Sequence, residues 1–219
     1  MGAQADQVRH DILSRVLSRD LMPGDRIDEA DLRDRLHLSG TPVREALISL
    51  EATGVIERRP RGGARIMSLD LEGLMKMIEV QAETEGAVAF RAARRITPDQ
   101  ATRLQAATRA CLDFAPSPRP GNDDYFDLNL AFHRALIDAA GNEFLEQAVF
   151  QTANRLVGYL AARHALPGEP GRSAQDHDAI CRAVLDHDGD TARILMIAHV
   201  SFSDAMALDV INHVHARQT

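Results

Sequence analysis

The sequence predicts a mainly α protein with two parts: three short helices and a β-hairpin, then an antiparallel bundle of six helices. The first observation is that apolar residues recur at helical spacing along most of the 219 residues. The second is that this period changes only once, after residue 54, to two short β-prone runs. The third is that aromatic residues make up only 4% of the chain, with no Trp, which disfavours a β-sandwich.

The three N-terminal helices are each marked by apolar spacing and by a turn or cap. Residues 5–19 keep apolar side chains on one face until the Pro23-Gly24 turn. Asp28 can cap a second short helix, because its side chain accepts from free backbone N–H groups. Thr41-Pro42 opens a third helix, with Pro where its missing N–H costs nothing, and Gly54 ends it.

The change of period predicts a β-hairpin. Residues 55–59 and 64–68 are β-prone, and Pro60-Arg61-Gly62-Gly63 between them suits a glycine tip. Three short helices followed by a hairpin are the plan of a winged helix-turn-helix. We therefore expect a winged helix-turn-helix domain over residues 1–69 and a helical bundle over residues 70–219.

The second domain is helical in period throughout. Breakers such as Thr97-Pro98, Gly141-Asn142 and Asp188-Gly189 divide it into segments joined by short loops, which is typical of antiparallel bundles. The six predicted helices cover residues 71–95, 98–114, 122–140, 143–165, 173–187 and 190–215.

The predicted head carries polar and basic side chains where a helix-turn-helix contacts DNA. Thr41 and Arg44 lie off the apolar face of the third helix, whose start would enter a major groove. An Arg-rich hairpin tip can enter a minor groove. Units of this shape also serve as protein-docking modules, and the residue pattern alone leaves that alternative open. The candidate DNA contacts are Arg33, Ser39, Thr41, Arg44, Arg59, Arg61, Gly62, Gly63 and Arg65.

The net charge of -7, taken alone, argues against nucleic acid as a partner. The charge is unevenly distributed, because residues 1–70 carry a net -1 and residues 71–219 a net -6. Within the head, residues 33–66 hold seven Arg against four acidic residues, a local +3. Most of the net negative charge therefore lies on the bundle, and the basic surface with which the head would contact DNA is local and modest.

The chain shows neither membrane nor secretion signals. No stretch approaches 18 uncharged apolar residues, and the first six residues lack the pattern of a signal peptide. Cys111 and Cys181 are too few for a disulfide framework or a Cys-type zinc site. We expect a cytoplasmic protein without membrane contacts.

Three predicted helices of the bundle each direct one histidine inward along an apolar stripe. These are His133, His177 and His199, and Asn129 lies one turn before the first. A single buried histidine is usually a satisfied core residue, whereas three together with an oxygen donor favour a metal site. Of the other histidines, His10 and His37 lie in the head, and the rest, including His164, lie near ends of predicted segments, where a cation favours the helix dipole.

The head resembles the N-terminal domain of GntR-family bacterial transcription regulators. The resemblance is carried by Thr41–Leu47, by Leu50–Pro60 with Gly63-Ala64-Arg65, and by the Pro-Gly turn in Leu21–Ile27. It implies DNA binding by a winged head. Two positions depart from the family pattern, because Gly40 replaces a base-reading Arg and Ala30 replaces an Arg found in some relatives.

The bundle resembles the FCD effector domain of the FadR-like branch, in its six-helix, VanR-type form. Tyr125–Leu136, Ala140-Gly141-Asn142, Asp176–Ile180 and His199 carry this resemblance. It implies a divalent metal held by the same four residues of the polar stripe, and a set of three histidines and one oxygen suits Zn²⁺ or Ni²⁺. The ligands so implied are Asn129, His133, His177 and His199.

The resemblance also implies a small carboxylate effector at an open position of the metal. Gln81 stands where many relatives have an Arg that pairs with the carboxylate, and Arg134 and Arg155 are candidates to compensate. Gln81, Glu85, Arg134 and Arg155 are therefore the expected pocket residues. Asn129 departs as well, because an amide oxygen is a weaker donor than the carboxylate in other members.

Together these features predict a ligand-responsive transcription regulator, a repressor and not an enzyme. By the resemblance it is a homodimer whose two heads bind a pseudo-palindromic DNA operator. The alternatives are a metalloenzyme that uses the three histidines with Glu85 as base, a regulator that senses the metal itself, and a metal-free pocket.

Overall fold

The computed structural model describes residues 2–59, 63–114 and 124–216, apart from the side chains of Arg59 and Asp124. These ranges form ten helices and one two-stranded hairpin. The N-terminal elements are α1 (Ala3–Leu17), α2 (Glu29–Leu36), α3 (Gly40–Ala52), β1 (Ile56–Arg59) and β2 (Gly63–Ile66). The C-terminal helices are α4 (Leu71–Arg95), α5 (Pro98–Leu112), α6 (Asp124–Ala140), α7 (Glu143–His164), α8 (Glu169–Leu185), α9 (Gly189–Val200) and α10 (Asp204–His215).

The head has its own apolar core between α1, α3 and the hairpin. Val8, Ile12 and Val16 are fully buried along one face of α1, and Val43 and Leu47 of α3 pack against them. Burial of each such side chain contributes about 1.5–3 kcal/mol. The core therefore fixes the position of α3, the predicted reading helix, relative to α1.

The wing is held by a third extended segment in addition to its own pairing. β1 and β2 pair antiparallel, from Ile56 opposite Ile66 to Arg59 opposite Gly63. The Ile66 N–H also donates to the Asp25 carbonyl at 3.0 Å, so the turn after α1 is tied to β2.

The caps of α2 and α3 follow from local sequence. Asp28 caps α2 as predicted, because its carboxylate accepts from the Ala30 N–H at 2.8 Å. Helix α3 begins at Gly40, slightly earlier than the predicted Thr41-Pro42 start. Pro42 still lies in the first turn, where backbone N–H groups lack intrahelical partners, so the earlier start costs no hydrogen bond.

Helix α4 runs through the bundle and packs against α6, α7, α8 and α9. Its small residues allow close approach: a Cβ on Gly86 would lie 2.7 Å from Cγ1 of Ile197 in α9. The buried stripe of α4 includes the polar pair Gln81 and Glu85, which thereby faces α6 and α7.

The last predicted helix, 190–215, is two helices, so the described part of the bundle has seven helices rather than six. Ser201 and Ser203 cause the break: the Ser201 hydroxyl donates to the Ile197 carbonyl at 2.7 Å, and the Ser203 hydroxyl accepts from the Met206 N–H at 3.2 Å. Among the described helices, none is long and apolar enough to cross a membrane alone; α9 and α10 meet the criteria only as a pair, which is bent by 44°.

The head rests on α7 through close contacts. A Cβ on Gly158 would lie 2.8 Å from Cγ of Pro23, and the Arg155 side chain crosses Gly54 at the end of α3. The Tyr159 hydroxyl accepts from the Leu69 N–H at 2.7 Å and donates to the Leu69 carbonyl at 3.0 Å. One helix of the bundle therefore contacts the turn after α1, the end of α3 and the connection between the domains.

Candidate metal centre and ligand cavity

Three helices bring one histidine each to a common point inside the bundle. His133 comes from α6, His177 from α8 and His199 from α9, and one ring nitrogen of each lies within 4.8 Å of the others. The Nε2 atoms of His177 and His199 are 3.1 Å apart. His177 and His199 are buried, and the His133 side chain is 14% exposed. The three histidines predicted to share a site therefore do meet.

Two carboxylates orient two of these rings. His133 Nδ1 contacts a carboxylate oxygen of Glu85, and His199 Nδ1 lies 3.2 Å from Oδ2 of Asp176. A carboxylate bonded to one ring nitrogen fixes the proton there and leaves the lone pair on the other. His133 and His199 thus retain Nε2 as the nitrogen free to bind a ligand.

Asn129 contributes an oxygen with unused hydrogen-bonding capacity. Its Oδ1 is buried and has no hydrogen-bond partner among the described residues. Asn129 lies four residues before His133 on α6, so both side chains share one face of the helix. Because buried polar atoms normally have partners, this oxygen is suited to a cation or a ligand donor.

The environment keeps the inner histidines neutral. Burial, followed by repulsion from His199, holds the pKa of His177 well below its ordinary value. Burial and then His133 do the same for the pKa of His199. A neutral imidazole is the form that binds a metal ion, so both rings are ready to act as ligands near pH 7.

Glu85 also belongs to a buried polar network that includes Gln81 and Thr152. Gln81 Nε2 donates to Glu85 Oε1 at 2.5 Å, and the Thr152 hydroxyl donates to Gln81 Oε1. Burial alone would raise the pKa of Glu85, but the attraction of His133 and the two hydrogen bonds outweigh it and lower the pKa. Gln81 therefore supports an anionic Glu85 rather than presenting a cation to the cavity.

A cavity of about 880 Å³ adjoins the histidine cluster. Of the four predicted pocket residues, Gln81, Glu85 and Arg134 line this cavity, together with Asn129, His133 and His199. Arg155 does not line this cavity. Its side chain crosses Gly54 of the head and donates to the Gln151 carbonyl at 2.9 Å, because residue 155 lies on the face of α7 turned towards the head.

The structure adds Arg163 to the cavity wall, a residue that the sequence reasoning missed. Its side chain is 3% exposed, and its guanidinium pairs with Glu169 at 3.1 Å and donates to the His199 carbonyl at 2.8 Å. A signal for this burial exists, because Arg163 follows Leu156 and Tyr159 at i+7 and i+4 on the apolar stripe of α7.

His164 also differs from its expected role as a cation at a helix end. Its Nδ1 is buried without a described partner, and its ring packs 5.4 Å from that of Tyr125. Burial and the charge of Arg163 lower the pKa of His164 to about 3. His164 therefore lines the cavity as a neutral ring.

The predicted reading helix exposes its polar residues. Ser39 is the N-cap of α3 by backbone geometry, and Thr41 and Arg44 are exposed. Arg33 on α2 is also exposed. It lies beside the start of α3, since a Cβ added to Gly40 would be 3.9 Å from its Cδ. These four candidate DNA contacts thus occupy one edge of the head.

The wing is described only in part. Gly63 is exposed and has φ of +71°, a conformation that favours glycine, whereas Arg61, Gly62 and the Arg59 side chain lie outside the described residues. The Arg65 guanidinium donates to the Gly24 carbonyl at 2.8 Å, so at least one of its N–H groups serves the turn after α1.

Comparison with known proteins identifies both domains. The family model for "Bacterial regulatory proteins, gntR family" matches residues 4–66, and that for "FCD domain" matches residues 76–202. The HTH-type transcriptional repressor RspR of Escherichia coli (strain K12) is 29% identical over 197 residues, covering 85% of this chain and 83% of RspR. The HTH-type transcriptional regulator LutR of Bacillus subtilis (strain 168) is 26% identical over 203 residues, 83% and 91% of the two chains.

Solved structures share the architecture. E. coli McbR/YncC superposes with a TM-score of 0.75 at 19% identity over 100% of both chains. A GntR-type protein from Rhodococcus sp. RHA1 gives a TM-score of 0.74 at 17% identity, covering 94% of this chain and 98% of its own. At these identities the likeness concerns the fold alone, and the predicted mainly α class with a winged head and a helical bundle is confirmed.

Proposed function

This chain belongs to the GntR family of bacterial regulatory proteins with an FCD domain, and we propose that a small organic acid bound at a metal site in that domain modulates its operator affinity. Family membership makes it a DNA-binding transcription regulator and not an enzyme, so the metalloenzyme alternative is dropped. The boundary proposed between its domains is residue 69/70, between the end of β2 and the start of α4.

The histidine cluster carries the proposal. Nitrogen ligands held about 2.0–2.1 Å from one ion lie about 3–4 Å apart, close to the spacing of these ring nitrogens. Three histidines, of which His133 and His199 have their Nδ1 atoms held by Glu85 and Asp176, and an unpartnered amide oxygen are a suitable donor set for Zn²⁺ or Ni²⁺. The residues that would hold the ion are Asn129, His133, His177 and His199.

A bound divalent ion would supply the positive charge that attracts a carboxylate. Four protein ligands leave a position open in a five- or six-coordinate ion. Arg134 and Arg163 line the same cavity and add positive charge near it, while Gln81 and Glu85 shape the wall. A small organic acid is the effector class that this arrangement supports.

The DNA-binding half of the proposal rests on the exposed edge of the head. GntR-type regulators bind DNA operators and typically dimerise. We expect a homodimer that binds a pseudo-palindromic site and represses transcription, as the name of the relative RspR states for that protein. The proposed DNA contacts are Arg33, Ser39, Thr41, Arg44, Arg59, Arg61, Gly62, Gly63 and Arg65.

A His133→Ala variant tests the metal site against an exposed histidine, His215, changed in the same way. We expect wild type and His215→Ala to purify with about one metal ion per chain and to change operator affinity with an organic acid. His133→Ala should lose both properties while keeping its helical circular dichroism. Equal metal content in all three proteins would contradict the proposal. Operator binding that responds to metal removal alone would favour the metal-sensing alternative.

A further inference from the structure

We infer that the effector is an amphipathic acid, whose carboxylate lies at the metal site and whose apolar tail lies against helix α1 of the DNA-binding head. The inference rests on the proposed function, because the polar end of the ligand uses the site described above. It adds the chemical class of the ligand and a direct contact between that ligand and the head.

The cavity reaches from the bundle to one face of α1. His10, Leu13, Ser14 and Leu17 line it, and their spacing of three, four and seven residues places them on a single helix face. This face is distinct from the one that carries Val8, Ile12 and Val16 into the core of the head. Helix α1 therefore uses one face to hold the head together and another to close the cavity.

The wall of the cavity contains both polar and aliphatic side chains, and on α1 the polar His10 and Ser14 alternate with Leu13 and Leu17. The histidine end has Glu85, Asn129 and His133 in its wall. The aliphatic part of the wall, which we call the tail arm, is formed by side chains of α1, α6 and α7. The tail arm is lined by Leu13, Leu17, Leu130, Val157 and Leu160.

The size of the cavity favours a ligand with such a tail. Pockets for small molecules range over about 300–1,000 Å³, and the 880 Å³ found here is near the upper end. An acid of two to four carbons would leave most of the tail arm to water. An aliphatic or aromatic extension would exclude that water from leucine and valine side chains, which is favourable.

A ligand in the tail arm would connect the metal site to the head without intermediate elements. Leu13 and Val157 also pack against the core of the head, so the tail arm and that core share side chains. A tail that displaces Leu13 or Leu17 acts on α1, and through α1 on α3, because their buried faces are in contact. Differential contact of this kind is what a ligand needs to shift a conformational equilibrium.

The test measures binding of straight-chain monocarboxylates of two, four, six and eight carbons to the zinc-loaded full chain by calorimetry. Affinity should rise about fourfold per added methylene, as expected for about 0.8 kcal/mol per buried CH₂, or about 200-fold from four to eight carbons. Ala153 lines the cavity on α7, one turn before Val157 of the tail arm, and Ala153→Phe should narrow the tail arm and abolish the rise. Leu17→Ala should reduce the rise, and Gln147→Phe, exposed on the same helix, should leave it intact.

The outcomes separate this inference from the proposed function. Equal affinity for all four acids would overturn the apolar tail and leave the proposed function standing. No binding of any acid to the zinc-loaded chain would overturn both. A full rise retained in a folded Ala153→Phe protein would place the tail elsewhere and overturn the inference.

Hydrogen exchange provides a second readout for the contact with the head. Octanoate should slow amide exchange in residues 10–17 of α1 more than acetate does, at concentrations that saturate the site with either acid. Identical exchange with the two acids would overturn the contact with α1 even if chain length affects affinity.

Discussion

Gly158 in α7 lies directly against Pro23 in the turn that follows α1, with space for a hydrogen but not for a methyl group. A Cβ at residue 158 would approach Pro23 Cγ to 2.8 Å and Cδ to 3.0 Å. Pro23 belongs to a turn in which the Asp25 carboxylate accepts from the Met22 N–H at 2.8 Å, so it is not free to move aside. The contact makes the docking of the head on the bundle sensitive to single atoms.

Gly158→Ala should therefore destabilise the protein. Overpacking at such a contact costs about 1–3 kcal/mol, partly offset by the better helix propensity of Ala. Gly171→Ala on α8 is the matched control, because no described atom lies within 4 Å of its Cβ position. Urea unfolding of both variants measures the difference, and equal stability would show that the turn yields without cost.

Glu85→Gln should weaken metal binding by about 10-fold or more, the lower end of the range for residues that orient a histidine ligand. The substitution removes the negative charge that holds the Nδ1 proton of His133 but keeps the size of the side chain. Glu83→Gln is the control, since Glu83 lies on the same helix in an exposed pair with Arg193. Competition with a zinc chelator gives both affinities, and an unchanged value for Glu85→Gln would mean that His133 is positioned by packing alone.

Arg163→Met should cost about 3 kcal/mol of unfolding free energy, because it leaves the buried His199 carbonyl without its donor and removes the buried one of the two cations that pair with Glu169. Arg172 pairs with the same carboxylate but its side chain is 41% exposed, so Arg172→Met should cost about 1 kcal/mol or less. Chemical denaturation of the two variants compares a buried and an exposed partner of one Glu. Equal losses would contradict this account of the burial of Arg163.

Gly40→Arg should tighten operator binding. The position is next to the exposed Thr41 and Arg44, the nearest contact of an added Cβ is Arg33 Cδ at 3.9 Å, and one bidentate contact to guanine contributes about 1–3 kcal/mol. Gly2→Arg adds the same charge at the start of α1, where no described atom crowds it. Fluorescence anisotropy on an operator selected from random DNA measures both. If Gly40→Arg gains no more affinity than Gly2→Arg, residue 40 does not face the bases.

The sequence predicted the elements with local signals and missed those without them. Helical period alone placed the three histidines on inward faces of separate helices, and the structure brings them together. The break between α9 and α10 contains neither Pro nor Gly, and Phe202 continues the apolar pattern, so only the hydroxyl groups of Ser201 and Ser203 mark it. The apolar periodicity therefore continues across a helix break that is created by side-chain hydrogen bonds, and it does not reveal the break.

The partners of the site residues depend on tertiary packing. Glu85 and His133 are 48 positions apart, and Arg163 and the carbonyl of His199 are 36 apart, so no local pattern predicts either contact. Arg155 is a predicted pocket residue that could compensate for Gln81, but it lies on another face of α7 than the residues that line the cavity. Its neighbours on that face contact the head instead.

The hydrogen bonds of Tyr159 bear on how the two domains move. One hydroxyl satisfies both the N–H and the C=O of Leu69, so the main chain between β2 and α4 is anchored on α7. The segment that connects the domains is consequently held in place on α7 at Leu69. A rotation of the head relative to the bundle would have to carry α7 with it or break this pair, so a helix that lines the cavity would take part in that movement.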